Sequence, residues 1–338
     1  VGVNAVTREE HVDTGDSYAS DLEWADATKD RLLGWGFTTL GAWSAVELFE
    51  DMPYTVVLDL AQANWETGTI PDYFSQSWAD EVHRIVDERV SPLRDDPCLI
   101  GWFTDNELRW GHDWRSEEDL LTTYLALPPE SPGRAIAEDH MGDPAGFVSA
   151  VAMQYFSVTD AALSEADPNH LNLGARISSL TASEEVVAAA GEFADVLSIN
   201  FYDLNDLGLA VAEVYGPRLT FDDWLLSHHE VSGLPVLITE FSYRSAESEN
   251  PNSWPPIYIT TETQAERGQK YAEYAQRSFD SPYIIGHDWF LYYDQPVEGR
   301  FDGEDNNFGL LDISDNPHVD FVERVQAANR LAPHLADD

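Results

Sequence analysis

Cys98-Leu-Ile-Gly-Trp-Phe103, followed at once by Thr104-Asp105-Asn106-Glu107, is an apolar run closed by polar side chains. The pattern recurs where Leu234-Pro-Val-Leu-Ile-Thr239 is followed by Glu240-Phe241-Ser242. Continuous apolar runs of this length suit strands buried on both faces, as in a parallel sheet. A carboxylate at the C-terminal end of such a strand has left the core and points into the space onto which the strand opens.

Six more runs extend the pattern: Val1–Val6, Phe37–Trp43, Thr55–Leu60, Leu171–Ile177, Val196–Phe201 and Ile284–Phe290. Between the runs lie helix-like stretches near 18–34, 76–94, 145–166, 182–192, 220–231 and 262–280, with a last one near 317–332. The connection 44–54 has room for only one or two turns. Gly34 and Gly36 are stop signals, as is Gly233; Thr263-Gln-Ala-Glu266 and Ser116-Glu-Glu-Asp119 have the spacing of capping boxes. Strands alternating with helices predict an α/β fold, and eight such units predict one closed (β/α)₈ TIM barrel. We read 1–338 as a single catalytic domain, since a split near 128–133 would leave four strands on each side. Val1-Gly-Val-Asn4 reads as the middle of a strand, so a segment is expected before it. Segment 104–147, after strand four, exceeds an ordinary connection and is expected to form a cleft wall or lid; 242–261 is a second insertion, after strand seven.

Charge is the second strong signal. The net charge is −44, with Asp and Glu spread along the chain, and Lys29 and Lys270 are its only lysines. Such self-repulsion requires screening by salt, which predicts a halophile's protein, secreted or cytoplasmic. It also opposes nucleic acid, whose phosphates would be repelled. Cys98 is alone, which excludes a disulfide and a Cys-based metal site, and reads as a buried strand residue. No run is long enough to span a bilayer. His228 and His229 are neighbours on a helix and diverge, and no zinc-type spacing occurs. The loop Asp302-Gly-Glu-Asp-Asn-Asn307 lacks EF-hand spacing and reads as a solvated acidic loop. Neither a metal nor a cofactor is expected, and the oligomeric state stays open.

On a barrel, Glu107 and Glu240 would sit on the C-terminal face, where sites of this fold are built. Two carboxyl groups flanking a bond are the minimal equipment for hydrolysing a glycoside. The expected partner is therefore a carbohydrate, and Asn106 is placed to hydrogen-bond a sugar hydroxyl.

The arrangement resembles the large clan of retaining (β/α)₈ glycosidases, in which Asn-Glu closes strand four and Glu closes strand seven. Within it, Ile100-Gly-Trp-Phe-Thr-Asp-Asn-Glu-Leu-Arg-Trp-Gly111 is similar to the acid/base segment of the family-fifty β-agarases. Phe37-Thr-Thr-Leu-Gly-Ala-Trp-Ser44 resembles their second strand. Trp289-Phe-Leu-Tyr-Tyr-Asp-Gln-Pro296, with Gly299-Arg300, Asp302-Gly303-Glu304 and Asn307-Phe-Gly-Leu310, resembles their eighth strand and closing loop. The resemblance runs from residue 1 to about 330. It implies Glu107 as acid/base, Glu240 as nucleophile and a β-galactan as substrate. Phe241-Ser-Tyr-Arg-Ser245 departs from the family's His-containing pattern, and Asp288 stands where a His is expected. By the same resemblance Tyr202 hydrogen-bonds the nucleophile, or else is a core tyrosine. Trp289 is the candidate to stack on the sugar at the cleaved bond. Asn4, Trp43, Asn64, Trp65, Asn200, His287, Tyr292 and Arg300 are further candidate substrate contacts near strand ends. A β-galactosidase, β-glucanase or β-mannanase on the same scaffold, or a non-catalytic carbohydrate-binding barrel, are the alternatives. A metal-dependent barrel hydrolase would want His and Asp at several strand ends, where only His287 qualifies.

Overall fold

Eight short parallel strands carry the apolar runs: β1 Gly2–Val3, β2 Thr39–Leu40, β3 Tyr54–Val57, β4 Leu99–Asn106, β5 Leu171–Ser178, β6 Leu197–Asn200, β7 Val236–Phe241 and β8 Ile284–Trp289. They close into a barrel in the order β1-β8-β7-β6-β5-β4-β3-β2. This is a (β/α)₈ TIM barrel, here in a computed structural model that describes residues 1–9, 11–15, 17–215 and 220–332.

The helices begin and end where local chemistry dictates. Ser20, Ser75, Thr220 and Thr263 each accept a backbone N–H three residues on, capping helices Asp21–Gly34, Gln76–Arg89, Phe221–Ser232 and Gln264–Asp280. Gly233 stops one of them in the left-handed conformation, at φ 71°. Connection 44–54 holds only a 3₁₀ turn, Val46–Leu48. Segment 104–147 contains two short helices, Leu120–Leu125 and Pro132–Asp139. The first is capped by Asp119, which accepts from Thr122 N, so the capping box expected from Ser116 does not form. Cys98 precedes β4 and is half-buried, which corrects its reading as a buried strand residue.

The chain divides into two compact units. One comprises Val1–Thr55, Phe201–Glu213 and Ile238–Asp338; the other comprises Val56–Asn200 and Val214–Leu237. The first is built on packed rings: Phe241 stacks on Tyr274 with ring centroids 4.0 Å apart, and Trp289 meets Phe241 and Tyr271 edge-on and Phe321 at a tilt. The second centres on Tyr155, surrounded by Tyr73, Trp78, Trp110 and Phe156. In it β4 is irregular against β5, with register shifts at Trp102/Phe103 and Phe103/Asp105. Such irregularities re-aim side chains at strand ends, and the residues that follow are Asn106 and Glu107. Among the described residues no helix is long and apolar enough to cross a membrane, and no three His, Cys, Asp or Glu gather to hold a metal ion.

Candidate active site

In the second unit, β4 ends and the backbone turns sharply at Glu107, whose φ of 45° lies in the left-handed region. For a residue with a Cβ this conformation is strained, and strain of this kind concentrates at functional sites. Glu107 N donates to Arg176 O at 2.8 Å, and its Oε1 accepts from Asn200 Nδ2 at 3.2 Å. Asn200 also reaches Asn106 Oδ1 (3.1 Å), which accepts from Arg176 Nη1 at 3.0 Å. Asn106, Glu107, Arg176 and Asn200 thus form one polar group across the ends of β4, β5 and β6. Arg176, wholly buried, holds the Asn106 carbonyl oxygen so that its amide N–H₂ faces away from the guanidinium. Sequence reasoning missed it, although an arginine inside the run Leu171–Ile177 was a visible signal.

Below this group, Asp105 is buried and accepts from both Ala61 N (2.9 Å) and the Tyr155 hydroxyl (2.5 Å). Burial pushes its carboxyl well above the usual range, although the Tyr155 hydrogen bond opposes this. Beyond Glu107, Arg109 ties the chain down through Gly68 O, Glu118 O and Thr123 Oγ1. Asn64, a candidate substrate contact, closes an exposed turn, accepting from Thr67 N and Oγ1. Trp65 has Arg115 over its ring at 5.9 Å, and its indole N–H is buried without a hydrogen-bond partner.

In the first unit, Glu240 is buried near the end of β7 and accepts from the Tyr202 hydroxyl at 2.8 Å. Burial, then the Glu240 charge, holds the Tyr202 phenol well above its usual range, so it stays a donor. The Tyr202 ring packs on Tyr258 at 4.9 Å. Arg300 bridges Asp302 and Glu304. Burial alone would lower its pKa; the Asp302 hydrogen bond and the charges of Glu304, Asp302 and Glu240 outweigh it and raise the pKa. The guanidinium lies 6.0 Å from the Phe290 ring, and Trp43 meets Phe290 edge-on at 6.4 Å.

Four expected substrate contacts are enclosed instead. Trp289 is fully buried and its indole N–H donates to Phe308 O at 2.9 Å, so no face is left for a sugar. The next residue, Phe290, stands in the position facing Trp43 and Arg300. Tyr292 is buried against Trp24 and donates to Thr28 Oγ1. Asn4 is buried, its amide spent on Thr239 O and Ala42 N at 2.8 Å each, which brackets β1, β2 and β7. His287 is sealed among Phe241, Tyr271 and Phe279; neither ring nitrogen has a hydrogen-bond partner, and burial pulls its pKa down to about 3.

The acidic loop 302–307 is also corrected. Asp302 and Glu304 pair with Arg300, Asp305 accepts from Ser253 N and Trp254 N, and Asn306 and Asn307 are wholly buried. It is a structural latch rather than a solvated loop.

Comparison with known proteins agrees with the resemblance read from the sequence. No family model matches the chain. It is 27% identical to β-agarase B of a Vibrio species over 91% of its length, and 25% identical to β-agarase A of the same strain over 92%. The chain spans only 36% of the length of each of these curated relatives. A crystal structure of an agarase superposes on 94% of the chain and half of that protein, with a TM-score of 0.77 and 28% identity. The chain therefore resembles the family-fifty β-agarases in sequence and in fold.

Proposed function

We propose that this protein is a retaining β-glycosidase that hydrolyses a β-galactan of the agarose type. The observation that carries the reading is the pair of strand-end glutamates with unlike hydrogen-bond partners, on a chain similar to agarases over nine-tenths of its length. A retaining double displacement needs one carboxylate as nucleophile and a second carboxyl as acid/base, and this reading gives those roles to Glu240 and Glu107.

Glu240 attacks the anomeric carbon and must be ionised. The Tyr202 hydroxyl, kept protonated by its surroundings, donates to Oε2 of the carboxylate and orients it. The C–O bond to the leaving group breaks as the covalent glycosyl-enzyme forms. Glu107 gives its proton to the leaving oxygen, then takes one from the water that releases the sugar. Its Asn200 partner is an amide donor without charge, compatible with both protonation states. Asn106, held by Arg176, offers its N–H₂ to the hydroxyl beside the reacting carbon.

Incubation in molar salt with agarose, porphyran, laminarin and mannan oligosaccharides tests the substrate class. Release of β-linked galactan products from agarose is expected. Hydrolysis of laminarin or mannan in its place would overturn the substrate assignment, and no hydrolysis of any would overturn the enzyme.

A further inference from the structure

Two large aromatic side chains stand exposed on the loops after β7 and β8: Trp254 is 53% exposed and Phe301 is 74% exposed. Neither is explained by packing. Both belong to the first unit, and the backbone around Trp254 is heavily tied in it. Asp305 accepts from Ser253 N and Trp254 N, Asn306 Nδ2 donates to Trp254 O at 2.8 Å, and Arg244 donates to Pro255 O and to Asn306 Oδ1. Asn250 and Asn252 join the same lattice through Gln295 O and Asn307 N. The indole edge of Trp254 lies against Gly303, where an added Cβ would meet Cδ1 at 3.5 Å. Gly303 N in turn donates to Arg300 O.

Arg300 connects these outer rings to the interior. Its guanidinium stands 5.5 Å from the Phe301 ring and 6.0 Å from Phe290. Phe290 belongs to the apolar cluster on which Tyr202 and Tyr258 pack, and Tyr202 holds Glu240. A series of rings and one guanidinium therefore runs from the carboxylate to the exposed edge of the loops. Arg300 is already paired with Asp302 and Glu304, so it does not present a free cation. An exposed indole on an immobilised backbone is an apolar face whose ordering entropy is already spent, the condition for tight stacking. The C–H faces of neutral sugars fit such a surface while their hydroxyls stay in water.

We infer that Trp254 and Phe301 form an outer binding platform for neutral sugar units of the polysaccharide chain remote from the scissile bond. This rests on the proposed function and adds a determinant of preference for long chains.

The test is substitution of both residues by Ala in the active protein, with kinetics on polymer and on a short aryl β-glycoside. The expected result is a KM on polymer raised roughly tenfold, the scale of one or two lost stacking contacts. The kcat/KM on the aryl glycoside and the melting temperature should stay unchanged. Trp254→Phe should retain most of the polymer affinity, which a lost fold would not. Unchanged KM on polymer in the double variant would overturn the platform. Calorimetric titration of the Glu240→Gln protein with oligosaccharides of graded length from agarose, laminarin and mannan separates the two readings. Affinity that grows with agarose chain length and is lost with the two rings supports both. The same behaviour with laminarin or mannan in place of agarose keeps the platform and removes the galactan assignment. Affinity independent of the two rings for every sugar removes the platform whatever the enzyme cleaves.

Discussion

The two strand-end glutamates sit in unlike surroundings. Glu240 is buried, receives a phenol hydrogen bond from Tyr202, and contributes to the charge environment of Arg300. Glu107 is half-buried, leaves its strand in a left-handed conformation, and meets the neutral amide of Asn200. A donor that does not release its proton suits a carboxylate that must stay ionised. An uncharged amide suits one that cycles between protonated and ionised. The same residue type at two equivalent places on one fold is thus given two tasks by its partners.

The comparison can be broken by substitution. Glu240→Gln should lower kcat on every substrate by roughly 10⁴-fold or more, because no covalent intermediate forms without the nucleophile. Glu107→Gln should cost about 10²- to 10⁴-fold on polysaccharide and far less on a glycoside with an activated leaving group. Equal losses on both substrates would erase the distinction between the two sites. Tyr202→Phe should reduce kcat about 10- to 100-fold, the value of a hydrogen bond to a charged group, with little change in melting. An unaltered kcat would mean that the phenol only packs.

The strand ends that carry both glutamates are legible in the amino-acid sequence. Apolar runs that give way to polar side chains at Asn106-Glu107 and Thr239-Glu240 mark them, although β7 itself continues one residue past Glu240 to Phe241. Side-chain direction is not legible to one residue. Neighbours on a strand point to opposite faces, so Trp289 enters the core and Phe290 takes the place facing Trp43. His287, Tyr292 and Asn4 mislead for a related reason: strand-end proximity does not say which face a side chain occupies. The loop 302–307 reads as solvated because its partners, Arg244, Asn252, Ser253 and Trp254, lie some fifty residues away along the chain. Arg176 is visible as a charge inside an apolar run, and only its partner is hidden.

The exposed and the sealed parts of the molecule should also respond differently to solution conditions. Transfer from molar to millimolar salt should lower the melting temperature by more than about 10 °C, since −44 charges then repel with little screening. Equal midpoints would refute the halophilic reading. Acid acts on the sealed region. His287 is neutral in the fold with its pKa near 3, whereas an unfolded chain protonates it below about 6.5. Its contribution is complete above pH 6.5 and is lost as the pH falls toward 3. At pH 5 the loss is about 2 kcal/mol. His287→Leu should remove that part of the acid sensitivity, read as a smaller difference in unfolding free energy between pH 7.5 and pH 5. An unchanged difference would show that the imidazole finds water or a partner in solution.

The assignment of roles is tested most directly by azide rescue of the two glutamate variants, with the configuration of the product read by proton NMR. Azide needs no general base. With Glu107→Gln and an activated β-glycoside it should attack the glycosyl-enzyme and give a β-glycosyl azide of retained configuration. With Glu240→Gly it should occupy the vacated space, attack the substrate directly and give the inverted α-azide. The opposite pairing of variant and product would reverse the two roles, and undiminished hydrolysis by both variants would contradict the site itself.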